Sequence, residues 1–310
     1  MAKNSNLHAA KAAKNDEFYT QITDIEKELS NYKDFFKGKV VYCNCDDARE
    51  SNFFKYFSKN FEFLGLKKLI TTGYKAEGKG VVLVYEGDKN GNRKVEDSEI
   101  VVRQLEGSGD FRSEECIEFL KEADVVVTNP PFSLFREYVK QLMDYGKKFI
   151  IIGNMNAVDY KEIFPLIKEN KLWLGASKGI GWKSLFGVPD DYEGKNVVIN
   201  DGKKYVQINQ ATWFTNVEHE KRNTPLDLYK RYSNEYKHYD NYDAIEVGKI
   251  ADIPMDYDGV MGVPLTFFFV YCPKQFEIIG NGYTENIKGV RPYVNGKRLY
   301  SRIFIRKRNA

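Results

Sequence analysis

Cysteine, histidine and long apolar runs are scarce in this chain, and each scarcity closes a class of explanation. Four cysteines in 310 residues do not make a disulfide framework. Cys43 and Cys45 are two apart, Cys116 and Cys272 stand alone, and His8, His219 and His238 are scattered. No spacing among them matches a zinc site, so no metal is expected. No apolar run reaches the roughly 18 residues of a membrane span, so no membrane partner is expected. Met1 to Lys14 is rich in Lys and Ala but lacks the apolar core of a secretory signal. These absences together point to a reduced, cytoplasmic protein. Acid is missing from one long stretch: Asn286 to Ala310 holds eight Lys or Arg and no Asp or Glu. The net charge is only +3, so this distribution carries more information than the total. Aromatics at 15% argue against disorder, and the length allows a large core.

What is present centres on Asp124-Val125-Val126-Val127-Thr128-Asn129-Pro130-Pro131-Phe132. Three consecutive valines read as a strand buried on both faces, as in a parallel sheet. Asn129, two prolines and an aromatic follow at once, and Ser133 is placed to cap a helix through Leu134–Val139. Each proline fixes its own φ and pushes the preceding residue out of the helical region. Asn129 and Pro130 are therefore held extended at the carboxyl end of a strand, where open α/β sheets bind ligands. The Asn129 side-chain carbonyl and the Pro130 backbone carbonyl can then face one planar NH₂ group, with Phe132 stacked on the ring that carries it. Acceptors whose bonds strengthen as that nitrogen pyramidalises stabilise the transition state over the ground state. The residues read as an amine-methylation site. A tight strand-to-helix turn without chemistry is the plain alternative.

Upstream, a helix is expected through Ile22–Leu29 and a first strand at Lys39–Cys43. Its loop, Asn44 to Asn52, holds Asp46 and Asp47 but no glycine, although a glycine-rich turn is usual where such a sheet meets a nucleotide. On residue chemistry alone, Asp46 and Asp47 read as an acid pair at a helix start. Phe54, Phe57, Phe61 and Leu64 follow at helical spacing. Lys68–Thr72 reads as the second strand, without the acid that would hold ribose hydroxyls. Val81–Tyr85 and Ile100–Leu105, with a turn at Asn90-Gly91, read as a small hairpin-like insertion leading into a sheet strand. Asp110 can accept from an adenine amine and Phe111 can stack on its ring; a loop acid beside a core aromatic is equally consistent. Phe135, Tyr138, Val139 and Leu142 mark a helix face that stops at Gly146, and Lys147–Gly153 is another buried strand.

Beyond about Glu169 the pattern changes to Gly, Lys and Trp. A hairpin turns at Asp201-Gly202, and Gln210–Thr215 reads as a strand. A short helix is expected from Thr224-Pro225, carrying Tyr229 and Tyr232, and a strong strand over Val263–Tyr271. In Leu299–Arg308, alternation places Tyr300, Arg302, Phe304, Arg306 and Arg308 on one basic, aromatic face suited to phosphates. A solvated edge strand is the alternative. Three regions are expected: 1–170 catalytic, 171–250 a target-recognition insertion, and 251–310 late strands completing the sheet.

Asp-Glu-Phe-Tyr-Thr-Gln at 16–21, Cys-Asn-Cys-Asp-Asp at 43–47, Gly-Asp-Phe-Arg-Ser at 109–113 and Thr-Asn-Pro-Pro-Phe-Ser-Leu-Phe-Arg-Glu-Tyr at 128–138 resemble the EcoRI-like family of adenine-specific DNA methyltransferases. Trp213–Asn216 and Gly259–Pro264 resemble its later blocks. The resemblance implies an α/β fold with a doubly wound, mostly parallel sheet, Rossmann-like, followed by a mixed α+β recognition region. It implies S-adenosylmethionine as cofactor. Phe18, Tyr19 and Thr20 would border its methionine part, and Cys43, Asp46 and Asp47 would lie in the first loop of its site. Asp110 and Phe111 would hold its adenine, and Asn129, Pro130, Pro131 and Phe132 the target adenine. Lys178, Lys183, Arg302, Arg306 and Arg308 are the candidates for DNA contact. Which of Cys43, Cys45, Asp46 and Asp47 touches the cofactor stays open, as does the ribose contact.

The expectation is a monomeric N6-adenine methyltransferase acting on double-stranded DNA, with any cognate restriction endonuclease acting separately. Methylation of RNA bases or protein glutamine is the rival among enzymes. A DNA-binding relic that no longer transfers methyl is the rival outside them.

Overall fold

The computed structural model describes residues 19–45, 47–75, 77–177, 180, 184–188, 192–193, 196–208, 210–282 and 292–308. The chain forms two compact units, Met1–Asn154 with Ser177–Val217, and Met155–Ala176 with Glu218–Ala310. Among the described residues no helix is long and apolar enough to cross a membrane. The basic segment 1–14 lies outside the described residues.

The first unit is mixed α/β around a large sheet. Its strands are β1 (Val40–Cys43), β2 (Lys68–Gly73), β3 (Val81–Tyr85), β4 (Ile100–Gln104), β5 (Val125–Thr128) and β6 (Lys148–Asn154). After β7 (Trp173–Leu174), which falls in the second unit, come β8 (Ser184–Gly187), β9 (Val197–Asn200), β10 (Lys203–Ile208) and β11 (Ala211–Thr215). The sheet runs β4-β3-β2-β1-β5-β6-β11 across this unit. Its centre is parallel, β2-β1-β5-β6. The expected hairpin does lead into this sheet, and both of its strands belong to it: β3 and β4 add on antiparallel at one side, and β11 adds antiparallel on the other. A mostly parallel sheet thus holds for the centre only. Every residue of β1 and β5 is buried, as uninterrupted Val runs require. β8, β10 and β9 form a separate antiparallel sheet. Its hairpin turns at Asp201 and Gly202, both left-handed (φ 47° and 74°), as expected for that dipeptide.

Helix α1 (Ile22–Leu29) precedes β1, and α2 (Asn52–Lys59), α3 (Phe61–Leu64), α4 (Glu114–Glu122) and α5 (Phe135–Asp144) follow between the strands in chain order. Ser51 caps α2 by accepting from the Phe53 amide, and Ser113 caps α4 by accepting from Cys116. Ser133 does not cap α5. Phe132–Leu134 forms a 3₁₀ turn first, closed by the Leu134 amide on the Pro131 carbonyl at 2.9 Å, and Leu134 precedes the helix. The extended backbone that Pro131 imposes (φ −54°, ψ 125°) delays the α-helix by one turn. The expected face of α5 is the buried one: Phe135, Tyr138, Val139 and Leu142.

In the second unit, α6 (Phe164–Lys168) is followed by β12 (Ile245–Glu246), β13 (Met261–Pro264), β14 (Phe276–Asn281), β15 (Tyr293–Val294), β16 (Lys297–Arg298) and β17 (Arg302–Lys307). β12-β13-β17-β14 make one sheet and β15-β16 a small ribbon. Three expectations fail here. No helix follows Thr224-Pro225; a 3₁₀ turn, Glu220–Asn223, precedes it instead. The strand expected over 263–271 stops at Pro264, and Leu265–Phe269 coils into 3₁₀, so the aromatics fill a core instead of a sheet face. The alternation of 299–308 is also lost, because Ile303, Phe304 and Ile305 are all buried in an interior strand.

One glycine ties the sheet to the candidate site. A Cβ on Gly153 of β6 would stand 2.5 Å from the Phe135 ring, at the start of α5. Gly153→Ala is expected to cost about 1–3 kcal/mol through overpacking. Urea unfolding will show this, and Phe135→Leu in the same chain should restore part of it.

Candidate active site

The carboxyl ends of β1 and β5 lie side by side, with Tyr42 opposite Val126 in the parallel register. The loop after β1 and the Asn-Pro-Pro-Phe turn after β5 are therefore neighbours. Asn129 (7% exposed) and Pro130 are buried, while Pro131 and Phe132 are half-buried. Asn44, the first residue past β1, is buried and joins both turns. The Thr128 hydroxyl donates to its backbone carbonyl, and the Tyr138 hydroxyl of α5 donates to its Oδ1. Tyr138 in turn packs its ring edge-on against Phe111 at 5.0 Å, and Gln141 Nε2 donates to the Phe111 carbonyl at 3.0 Å. Asn44 thus ties the end of β1 to the end of β5 and to α5, and Tyr138 carries the tie on to the loop bearing Phe111.

The first loop lacks glycine, yet Cys45 adopts the left-handed backbone (φ 68°) that glycine ordinarily supplies. Asp47 folds back on its own turn: Oδ1 accepts the amides of Arg49 and Glu50, both at 2.9 Å. These bonds close a turn ahead of α2, whose cap is Ser51, so Asp47 stands at that turn and not at the helix start expected for it. Asp46 and Phe18 lie outside the described residues, as do Lys178 and Lys183. Tyr19 pairs with Gly187 of β8 through amide–carbonyl bonds of 2.8 and 2.9 Å. The Thr20 carbonyl accepts from Asn52 Nδ2 at 2.7 Å, which sets Thr20 beside the start of α2 and hence beside the first loop. Its hydroxyl is buried and has no hydrogen-bond partner among the described residues. A buried polar atom left so at a loop end suits a bound polar group.

Residues 6–308 match the family described as adenine-specific methyltransferase EcoRI. The chain belongs to this family. It is 48% identical to the type II methyltransferase M.EcoRI of Escherichia coli, over 99% of this chain and 98% of that one. It is 40% identical to type II methyltransferase M.MpnI of Mycoplasma pneumoniae and 39% to M.MgeORF184P of Mycoplasma genitalium, in each case over 97% of this chain and 98% of the relative. No solved structure matches.

In this methyltransferase Asp110 faces Arg112, which donates to it from Nε at 2.8 Å and from Nη2 at 2.6 Å. That guanidinium holds the Asp110 carboxyl below the usual range, and it also reaches Glu137 of α5 at 3.3 Å. Gly109, left-handed at φ 82°, brings the loop against the Gly73 carbonyl so closely that a Cβ would stand 2.5 Å from it. Tyr19, Thr20, Cys43, Asp47, Asp110, Phe111 and Asn129–Phe132 are all in the first unit, while Arg302, Arg306 and Arg308 are in the second.

Two positioning residues escaped sequence reasoning. Asn44 carried no signal beyond being a small polar residue at a strand end. Glu28 is fully buried on α1 and accepts from Tyr32 Oη at 2.7 Å, from the Ser177 amide at 2.7 Å and from the Ser177 hydroxyl. An acid beside Ile25 and Leu29 on the apolar face of α1 was its signal. Among the described residues no group of three or more His, Cys, Asp or Glu is arranged for a metal ion.

Tyr138→Phe leaves the Asn44 amide oxygen without its donor, and about 1–3 kcal/mol of stability should be lost in urea unfolding. Burial pushes the Tyr138 hydroxyl well above its ordinary value. Folding therefore favours the protonated phenol: the contribution is complete below about pH 10 and is lost as pH rises through the folded value. The urea midpoint should fall more steeply between pH 9 and 11 in wild type than in Tyr138→Phe.

Proposed function

We propose that this methyltransferase transfers a methyl group from S-adenosylmethionine to the exocyclic N6 of an adenine turned out of double-stranded DNA. The observation that carries this reading is the Asn129-Pro130-Pro131-Phe132 turn. A buried asparagine and a half-buried aromatic stand at the carboxyl end of β5, beside the end of β1. Open α/β sheets place ligands at that edge, and the fold is read as Rossmann-like. The residues present fit the cofactor. Tyr19, Thr20 with its buried hydroxyl, Cys43 and the left-handed Cys45 turn would hold the methionine side, and Asp110 and Phe111 the adenine. Asp110 would exchange part of its bond to Arg112 for the adenine amine. When bound, the cofactor supplies an electrophilic methyl on a sulfonium.

The chain's own groups do the rest. The Asn129 side-chain carbonyl and the Pro130 carbonyl accept the two hydrogens of the target amine, and Phe132 stacks on the purine. As the amine nitrogen turns tetrahedral and cationic, its hydrogens become stronger donors, so both acceptors bind the transition state better than the ground state. The proton leaves after the new bond has formed, so no strong base is needed. Unstacking the adenine costs a few kcal/mol, offset by the pocket's contacts.

Segment 171–250, with Lys178 and Lys183, is assigned to target recognition, and Arg306 and Arg308 to phosphate contact. The enzyme acts as a cytoplasmic monomer, separately from any cognate restriction endonuclease.

Asn129→Ala should lower labelled-methyl incorporation into DNA by about 100-fold or more while calorimetric binding of S-adenosylmethionine persists. Incorporation close to the wild-type rate would remove Asn129 from the chemistry.

A further inference from the structure

Asp110 and Phe111, the two residues assigned to the cofactor's adenine, share one partner. The Arg112 guanidinium donates to the Asp110 carboxylate from Nε at 2.8 Å and from Nη2 at 2.6 Å, and its Cζ stands 5.2 Å from the centre of the Phe111 ring. An adenine held as assigned makes the same two contacts: its amine donates to the acid and its plane lies on the aromatic. A guanidinium is also planar, carries its N–H donors in one plane and stacks on aromatic faces. Arg112 therefore makes both contacts that the adenine needs.

The surroundings divide into fixed and movable parts. Phe111 is buried; Tyr138 packs edge-on against its ring at 5.0 Å, and Gln141 Nε2 donates to its carbonyl at 3.0 Å. The Arg112 backbone amide donates to Asp110 Oδ1 at 2.9 Å, a bond that holds the acid whatever the Arg112 side chain does. That side chain is 47% exposed, so it can swing without breaking core packing. A second acceptor stands within its reach. Nη1 lies 3.3 Å and 3.5 Å from the two carboxylate oxygens of Glu137, in the first turn of α5, and the Glu137 side chain is 50% exposed. The guanidinium is thus shared between two acids, with the shorter bonds to Asp110.

We propose that Arg112 is a gate on the adenine subsite: it stands in the adenine's place beside Asp110 and Phe111, and passes to Glu137 as the adenine enters. The proposal deepens the reading of the cofactor site given above and rests on it. Glu137 is then a positioning residue, which touches no cofactor and acts by receiving Arg112. The exchange keeps every charge paired. Asp110 gives up a charged donor and gains the amine, while Arg112 stays on a carboxylate. Exposed ion pairs contribute little to stability, so moving from one to the other costs little.

The test titrates S-adenosylhomocysteine, the demethylated cofactor, into the full chain by calorimetry, with the melting temperature of each variant measured alone. Removing the gate should help the ligand: Arg112→Ala should bind it about two- to fivefold tighter, the range that an exposed ion pair spans. Were Arg112 a brace for the loop, the same change would weaken binding. Removing the receiver should hurt: Glu137→Gln should bind about two- to fivefold weaker. In the double variant the Glu137 effect should vanish, because that residue acts through Arg112. Weaker or unchanged binding by Arg112→Ala overturns the gate, and so does a Glu137→Gln loss that persists in the double variant. Asp110→Ala keeps the two readings apart. Wild-type affinity in Asp110→Ala removes the assigned adenine site, and the gate with it. A clear loss there, beside an Arg112→Ala that binds no tighter, removes the gate alone.

Discussion

One buried amide holds the candidate active site together. Asn44 accepts hydrogen bonds from Thr128 at the end of β5 and from Tyr138 on α5, and Tyr138 braces Phe111. The turn before the Asn-Pro-Pro-Phe stretch, the helix after it and the loop bearing Asp110 are thereby fixed to the end of β1. A buried polar group is costly to leave unmet, so these elements are bound to one geometry. Gly153 does the same from below, since only a hydrogen leaves room for Phe135 against β6. Positioning of this kind is what the proposed transfer, which needs no strong base, requires.

The carboxylates show where charge is spent. Asp47 closes its own turn, Glu28 is consumed by Tyr32 and Ser177, and Glu246 neutralises Arg302. Asp159, in the second unit, is half-buried with Asn281 and Ser301 as donors, and its partial burial pushes its carboxyl up. Asp110 differs, because its partner Arg112 keeps it ionised and both side chains remain part-exposed. An acid so held can trade a surface donor for another at little cost, since exposed ion pairs contribute about 0–1 kcal/mol.

Much of this was legible in residues. The valine run of β5, the face of α5 and the Asp-Gly turn all formed as their patterns require, because burial on both faces, helical periodicity and left-handed backbone leave local signatures. The failures share a cause. Ser133 had a cap's chemistry, but Pro131 forced a 3₁₀ turn ahead of the helix. Thr224-Pro225 had a helix start's chemistry, but no helix followed. Phe267 and Phe268 have strand propensity, but a core took them in a coil. Arg302 has a DNA contact's charge, but Glu246, fifty-six positions away in sequence, had claimed it.

The chain by itself determined most strands and helices of the first unit, though not β8, together with the extended Asn-Pro-Pro-Phe turn and, through its motifs, the family. Those rest on short-range sterics, periodicity and residue type. Only the tertiary structure decided that both strands of the 81–105 hairpin join the main sheet, that Cys45 takes the place of a glycine, that Asn44 ties β1 to β5 and α5, and which cations are already paired. Each of these depends on groups brought together from distant positions, and pairing at a distance leaves no mark on either partner alone.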